Sequence, residues 1–199
     1  MRRFCIQLIE TEPQLALIAE EKSPTRISLR GVSAKNCSDM EVSMKRNIIR
    51  RVVFLILCII WMGIIFYMSS KSGDDSSGMS HGLVNFVTGI FPFLKVIPFE
   101  ILNFLIRKGA HFTEYGLFAL WIIGFLWTFD AVKDRYVALG VAAVGFCAFY
   151  AATDEVHQGF VSGRSPKFTD VIIDSSGALS FSIICLVIMY VIKRKTSRS

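Results

Sequence analysis

The sequence lacks the short motifs that mark most soluble enzymes and nucleic-acid-binding proteins. It contains no HExxH zinc motif, no Gly-rich phosphate loop and no GxSxG nucleophile motif, so soluble nucleotide or acyl chemistry has no support. Its five cysteines form no CxxC pair, and their odd number argues against a disulfide framework. No soluble stretch combines basic with aromatic residues, and nucleic acid is therefore not predicted as a partner.

Hydrophobic residues are abundant, at 53% of the 199 residues, and the mean hydropathy is +0.51. Soluble domains of this size are rarely so apolar. A polar turn at residues 130–135 suits an antiparallel helical hairpin. The sequence predicts an all-α polytopic membrane bundle embedded in a lipid bilayer. Its four transmembrane helices are expected near residues 52–68, 112–129, 136–153 and 171–192.

The basic residues collect before the first predicted span and after the last one. Such clusters favour the cytoplasm, and an even number of spans places both on the same side. We therefore predict a multi-pass protein of the cell membrane with both termini cytoplasmic. The two clusters are Lys45, Arg46, Arg50 and Arg51, and Lys193, Arg194, Lys195 and Arg198.

The stretch between the first two spans is less apolar. Residues 83–106 carry two prolines, Lys95 and Glu100, which disfavour a fifth span. Their apolar residues recur near helical spacing, and we predict an external interfacial helical segment. The preceding polar run, residues 69–78, is interpreted either as a flexible connector or as a cap over a polar site.

Residues 1–43 differ in composition from the rest of the chain. They mix acidic residues with two prolines and a long polar run, and we predict a poorly structured cytoplasmic extension. An alternative is that translation starts at Met44, directly before Lys45 and Arg46. Residues 44–199 are predicted to form the four-helix membrane domain.

A cluster of ionisable residues precedes the second span. In a helix Arg107, His111 and Glu114 are spaced i, i+4 and i+7 and share one face, with Lys108 and Tyr115 on the adjacent strip. Charged groups at the edge of a membrane are costly to place there, so they favour a functional explanation.

A second cluster extends from the end of the third span to the start of the fourth. Gly177 removes a side chain where another helix can approach closely. If the helices pack together, both clusters meet in one outward-facing pocket away from lipid. The second cluster consists of Asp154, Glu155, His157, Gln158, Arg164, Asp170 and Asp174.

The polar residues allow a structural and a functional interpretation. Each charge alone is explained by helix pairing, for example Arg107 with Asp154 or Asp174, and Arg164 with Asp170. Together, two histidines and five carboxylates exceed what helix pairing needs, which favours a function. The spacing of His111 and Glu114 is too weak to predict a metal site, and no metal or cofactor is predicted.

The candidate site residues fall into two groups. Acid–base chemistry would require groups that transfer protons, whereas binding of an anion would require cations and hydrogen-bond donors. The predicted catalytic residues are His111, Glu114, Asp154 and Glu155. The predicted ligand-binding residues are Arg107, Lys108, Tyr115, His157, Gln158, Arg164, Asp170 and Asp174.

Three sequence stretches, taken in order, resemble the VanZ-like family of small bacterial membrane proteins. They are FYMSSKSGDDSSGMS at 66–80, RKGAHFTEYGLFAL at 107–120 and DEVHQGFVSGRSPKFTDVIIDSSGAL at 154–179. The resemblance covers about residues 48–192. It implies a protein of the cell envelope, whose family namesake is associated with resistance to the glycopeptide antibiotic teicoplanin.

Three functional hypotheses remain open from the sequence. In the first, an outward-facing polar pocket binds an amphipathic anion, such as an envelope lipid or a glycopeptide, and contributes to teicoplanin-type resistance. In the second, the chain is an intramembrane hydrolase or transferase that acts on an envelope lipid. In the third, it is a structural helix bundle that supports a partner complex.

Overall fold

The computed structural model describes residues 34–197, and within them it contains five α-helices, one 3-10 helix and no strand. The chain divides into two compact units, Met1–Ile49 and Arg50–Ser199. The all-α prediction is confirmed. The elements are α1 (Ala34–Ser69), α2 (Gly73–Ile90), the 3-10 helix (Pro92–Val96), α3 (Phe99–Trp127), α4 (Tyr136–Gln158) and α5 (Phe168–Thr196).

Four of the helices are long and apolar enough to cross a membrane, which confirms the predicted number. The chain is a multi-pass membrane protein. Helix α3 begins at Phe99 and continues through Arg107 and His111, so the helix is longer than its apolar part. Inside a membrane a continuous helix satisfies its own backbone hydrogen bonds, which favours extending it across polar positions. The candidate spans are Glu41–Ser69, Phe99–Trp127, Tyr136–Gln158 and Phe168–Thr196.

The segment between the first two spans is helical, as predicted. The non-helical connector before it is shorter than residues 69–78, the range interpreted as a flexible connector. Helix α2 begins at Gly73, and the Ser72 hydroxyl accepts a hydrogen bond from the Asp75 backbone N–H at 3.1 Å. Asp74 and Asp75 in the first turn also favour a helix N-terminus electrostatically. The interpretation as a flexible connector is therefore wrong from Gly73 onward.

Helices α3 and α5 approach each other closely at glycine. A Cβ atom on Gly177 would overlap the backbone of Phe112, and one on Gly116 would overlap the ring of Phe181. Small residues let helix backbones approach and gain dispersion contacts where the hydrophobic effect gives no driving force. The predicted close approach at Gly177 is confirmed. Helix α4 adds the fully buried Cys147 to this core, and α1 adds Cys58 and Ile65.

Helix α1 is attached differently, through long side chains that bond to backbone carbonyls. The Trp61 indole N–H donates to the Glu114 carbonyl at 3.0 Å, and the Tyr150 hydroxyl donates to the Met62 carbonyl at 2.9 Å. These bonds join α1 to α3 and α4 at about the middle of the bundle. Side chains of this size hold the helices further apart than glycine does.

The predicted N-terminal extension lies mostly outside the described residues. Helix α1 begins at Ala34, and within its first turns Glu41 and Lys45 form an exposed ion pair at 3.1 Å. The prediction for residues 1–33 and the choice between Met1 and Met44 as the start both stay predictions.

Candidate functional site

A cavity of about 150 Å³ lies at the end of the bundle where α1 and α4 end and α2 begins. Helices α1, α2, α3 and α4 and the loop after α4 all contribute to its wall. It is the site where the two polar clusters of the sequence meet. The predicted site residues that line it are Arg107, His111, Glu114, Asp154 and Arg164.

The first polar cluster lines the cavity along one face of α3. Arg107, His111 and Glu114 are one to two helical turns apart, and all three side chains reach the cavity, as the i, i+4, i+7 spacing predicts. Asp154, in the last turns of α4, reaches it from the other side, and Arg164 reaches it from the following loop.

Helix α2 supplies lining residues that were not predicted individually. Ser76, Met79, Ser80 and Leu83 all line the cavity and are spaced i, i+3, i+4 and i+7 along the helix. This spacing is visible in the sequence and indicates one helical face. Ser, Gly and Asp are turn-forming residues, which favours the interpretation of residues 69–78 as a connector. That interpretation hides the helical spacing of the lining residues.

The start of α2 is fastened to the loop between α4 and α5. The Gly73 N–H donates to the Ser162 carbonyl at 3.1 Å, and a Cβ on Gly73 would overlap the Gly163 carbonyl. Gly163 has a φ of +73°, a conformation that glycine adopts without steric cost. Two glycines thus allow the backbone contact that closes this side of the cavity.

The guanidinium groups of Arg107 and Arg164 both line the cavity, and neither forms an ion pair with a carboxylate of residues 34–197. The buried Nε of Arg107 has no hydrogen-bond partner there. Arg164 donates to backbone carbonyls, through Nε to Lys71 at 3.2 Å and through Nη2 to Met68 at 3.4 Å. The predicted pairings of Arg107 with Asp154 or Asp174, and of Arg164 with Asp170, are wrong.

The two guanidinium groups affect each other electrostatically. Burial lowers the pKa of Arg164, and the positive charge of Arg107 lowers it further. An arginine with an ordinary pKa above 12 stays charged at neutral pH despite a modest shift. The cavity therefore holds two positive charges that repel each other, and the nearby carboxylate of Asp154 acts against this repulsion. An anion between the two guanidinium groups would relieve it further.

Two other contacts join α3 to α5 behind the cavity. Lys108 Nζ lies 2.6 Å from Asp170 Oδ1, and His111 Nδ1 lies 3.7 Å from Asp174 Oδ1. Lys108, Asp170 and Asp174 do not line the cavity. Their side chains face each other across the helix interface, which makes pairing between helices their immediate role.

Gln158 connects a carboxylate of the cavity with a guanidinium group. Its Nε2 donates to Asp154 Oδ2 at 2.9 Å, and its Oε1 accepts from Arg164 Nη1 at 3.4 Å. An amide is suited to this position because it offers a donor and an acceptor on one plane. Gln158 thus orients both Asp154 and Arg164 without lining the cavity itself.

Glu155, predicted to be catalytic, lies beside the start of α5. Its Oε2 accepts a hydrogen bond from the Lys167 backbone N–H at 2.7 Å, where Lys167 precedes the first residue of α5. A carboxylate stabilises a helix N-terminus because the first N–H groups have no partner within the helix. Glu155 is buried and does not line the cavity.

His157 and Tyr115 also lie away from the cavity. The His157 ring stacks on Phe66 at 4.5 Å between centroids, and its Nε2 lies 3.1 Å from the Ser70 hydroxyl oxygen. Tyr115 is fully buried, and its hydroxyl has no hydrogen-bond partner among residues 34–197. Neither residue lines the cavity, although both are close in the sequence to residues that do.

The described part of the chain contains no group of three or more His, Cys, Asp or Glu side chains that could hold a metal ion. The profile of the VanZ/LLP1 family matches residues 54–190, which include α2, α3, α4 and every residue that lines the cavity. No curated protein and no solved structure gives a significant match. The family match covers well over half of the chain and contains all three sequence stretches around the cavity, and the chain therefore belongs to the VanZ/LLP1 family.

Proposed function

We propose that the protein acts at the bacterial cell envelope and binds the anionic group of an amphipathic envelope molecule in its polar cavity. The observation that carries this proposal is the pair of guanidinium groups, Arg107 and Arg164, which face one cavity without a carboxylate partner in residues 34–197. Guanidinium groups bind carboxylates and phosphates through two parallel hydrogen bonds.

The apolar part of the wall supports a ligand that is amphipathic. Ile65 and Met68 from α1 and Met79 and Leu83 from α2 line the cavity together with the charged residues. An apolar cavity of about 150 Å³ accommodates a molecule of the size of benzene. The cavity volume of about 150 Å³ therefore suits a headgroup or a side group rather than a whole lipid.

The basic clusters at both termini support an orientation with the termini in the cytoplasm and the cavity on the outer side. In that orientation the ligand comes from the outer leaflet or the cell wall, as an envelope lipid or a glycopeptide would. Membership of the family supports a contribution to teicoplanin-type resistance as the cellular effect.

The test uses Arg107→Ala, Arg164→Ala and the double variant in a host from which the native gene has been deleted. We expect each single variant to lose most of the protection against teicoplanin, and the double variant to lose all of it. Lys133→Ala is the control, because Lys133 is exposed and lies in the loop at the other end of the bundle.

Folding is checked separately by the yield and the melting temperature of each purified variant. The charge-retaining Arg107→Lys variant distinguishes a requirement for any cation from a requirement for the guanidinium plane. Full protection by a well-folded double variant would contradict the proposal.

A second candidate is an intramembrane hydrolase or transferase, and it is favoured by the carboxylates of the same cavity. Glu114 and Asp154 both line it, and the Glu114 carboxylate has no hydrogen-bond partner among residues 34–197. Such a group is placed to accept or donate a proton beside a bound anion. Glu114→Gln keeps the shape but not the acid, so an enzyme would lose turnover of an envelope lipid while retaining ligand binding.

A further inference from the structure

A second cavity lies near the basic end of the bundle, remote from the polar cavity. It has a volume of about 270 Å³. We call it the apolar groove, and its walls are formed by α1, α3 and α5. Residues that define it are Phe54 on α1, Leu117, Trp121 and Trp127 on α3, and Cys185 and Met189 on α5.

The apolar groove exists because of the way α1 is attached. The Phe54 ring rests on Gly124, where a Cβ atom would overlap it, and long side chains hold α1 at a distance from α3. Among the described residues, no charged side chain lines the groove, so water gains few partners there. In a bilayer a lipid acyl chain would fill it and restore dispersion contacts that an empty groove forfeits.

A guanidinium group is held in place at the basic end of this groove. Arg51 precedes Phe54 by one helical turn, and its Nη2 donates to the Thr128 carbonyl at 3.2 Å, one residue beyond Trp127. Its Cζ lies 4.3 Å from the centroid of the Phe129 ring. A carbonyl and a ring thus orient the group, and neither neutralises its charge. Its electrostatic partner is the exposed Asp130 carboxylate, with which Arg51 forms no ion pair.

The acidic side chains near this guanidinium group have other partners. Asp130 pairs with Lys133 at 2.6 Å, and Asp134 accepts a hydrogen bond from Lys193. Arg51 itself forms no ion pair with any carboxylate of residues 34–197, and only its Nη2 has a hydrogen-bond partner there. Exposed Arg50 and Arg194 add further positive charge at the same end of the helices.

We propose that the apolar groove and Arg51 form a binding site for one anionic phospholipid, with an acyl chain in the groove and the phosphate on the guanidinium group. Basic residues beside a groove between membrane helices are suited to anionic lipid headgroups. The bound lipid would fill the space between α1 and α5 and stabilise the attachment of α1. The site is separate from the polar cavity and does not depend on its proposed function.

The test measures retention of defined lipids by native mass spectrometry after the purified full-length protein has been delipidated. We expect the protein to retain one phosphatidylglycerol in preference to phosphatidylcholine. Arg51→Gln, which keeps a donor for the Thr128 carbonyl but removes the charge, should reduce that preference about fivefold, the effect of one basic residue near an anionic surface. Arg50→Gln is the matched control and should retain most of it.

Two further variants separate this site from the polar cavity. Cys185→Phe fills the apolar groove and should abolish the part of phosphatidylglycerol retention that depends on Arg51. In a protein that also carries Arg107→Ala and Arg164→Ala, Arg51→Gln and Cys185→Phe should have the same effects as in the unmodified protein, so any lipid bound in the polar cavity is counted separately. Equal retention of both lipids by the unmodified protein would overturn the proposal. An Arg51→Gln variant that behaves like Arg50→Gln, or a Cys185→Phe variant that retains as much phosphatidylglycerol as the unmodified protein, would overturn it as well.

Discussion

The α3–α5 interface and the attachment of α1 show two ways of holding membrane helices together. At the first, glycine brings backbones into contact, as Gly177 does against Phe112. At the second, Trp61 and Tyr150 reach across a wider gap to single carbonyl groups. Both cavities border α1, the polar cavity at Ile65, Met68 and Ser69 and the apolar groove at Phe54. The tight α3–α5 interface thus stabilises the bundle, and the wider attachment of α1 leaves the space in which ligands can bind.

The largest effect is expected from breaking the tight interface. Gly177→Ala would push a methyl group into the Phe112 backbone, which cannot move without displacing α3. We expect the free energy of unfolding to fall by at least about 3 kcal/mol, the upper end of the usual cost of overpacking. Thermal unfolding in detergent measures it.

Gly145→Ala is the control for this change, because a Cβ atom on Gly145 meets no heavy atom within 4 Å. Alanine is also a better helix former than glycine, so this variant should be as stable as the unmodified protein or slightly more stable. Equal melting temperatures for the two variants would contradict the importance of the Gly177 contact.

An intermediate effect is expected at the ion pair that joins the same two helices. Lys108 and Asp170 are mostly buried, and Lys108→Ala leaves the Asp170 carboxylate without its cation. We expect a loss of about 2 kcal/mol, between the values for exposed and fully buried pairs. The exchange Lys108→Asp with Asp170→Lys should recover part of the melting temperature.

The charge exchange also tests the hypothesis of a structural bundle. If the pair only joins helices, the exchanged protein should regain antibiotic protection together with stability. A protein that regains stability but not protection would assign Lys108 or Asp170 a further role. If the exchange is no more stable than the single variants, the pair does not act as an ion pair.

A smaller effect is expected from the attachment of α1. Trp61→Phe replaces the indole with a smaller aromatic ring and removes the N–H that donates to the Glu114 carbonyl, whereas Tyr150→Phe removes only the hydroxyl that donates to the Met62 carbonyl. Tyr150→Phe should cost about 1 kcal/mol, the net value of one hydrogen bond. Trp61→Phe should cost more because the smaller ring also loses packing, and the double variant should still fold. A loss in either variant as large as that of Gly177→Ala would erase the difference between the two interfaces.

The smallest effect is expected in the turn between α3 and α4. The hydrogen bond from Lys133 lowers the pKa of the exposed Asp130 carboxyl group. A lowered pKa in the folded state contributes stability above the ordinary carboxyl pKa of about 4, and this is lost as the pH falls through the lowered value. Melting curves should therefore show a slight fall in stability below that pH.

The variant Lys133→Ala should reduce this pH dependence without removing it, because the hydrogen bond from Lys193 also lowers the pKa of Asp134. Salt at 0.5 M should weaken the dependence in the unmodified protein because exposed pairs are screened. An undiminished fall in the variant would assign the pH dependence to other carboxyl groups.

Much of the fold can be predicted from local features of the sequence, whereas only some of the contacts at the candidate site can be predicted in this way. The four spans, the face of Arg107, His111 and Glu114, and the close approach at Gly177 were all predictable from hydropathy and helical spacing. The partners of Glu155 and His157 were not. Both residues occupy the last turns of α4, but one meets the start of α5 and the other meets α1.

The contribution of α2 was also missed, although its spacing is regular. Ser76 and Ser80 line the cavity only because Gly73 fastens the helix to the loop at Gly163. The composition of residues 69–78 indicates a local preference for turns. The contact that holds Gly73 is made with a loop about ninety residues later, so it cannot be predicted from the neighbouring sequence. Long-range contacts of this kind are visible only in three dimensions.

By itself, the sequence determined that this chain forms membrane-spanning helices, how many there are, and which family it belongs to, because hydropathy and motif order are properties of neighbouring residues. The tertiary structure alone decided which charges are paired and which remain available. Lys108 pairs with Asp170 across the tight α3–α5 interface, whereas Arg107 and Arg164 face a cavity beside α1. Whether a charge is paired depends on the distance between the helices. Small residues make that distance short at one interface, and large residues make it long at the other.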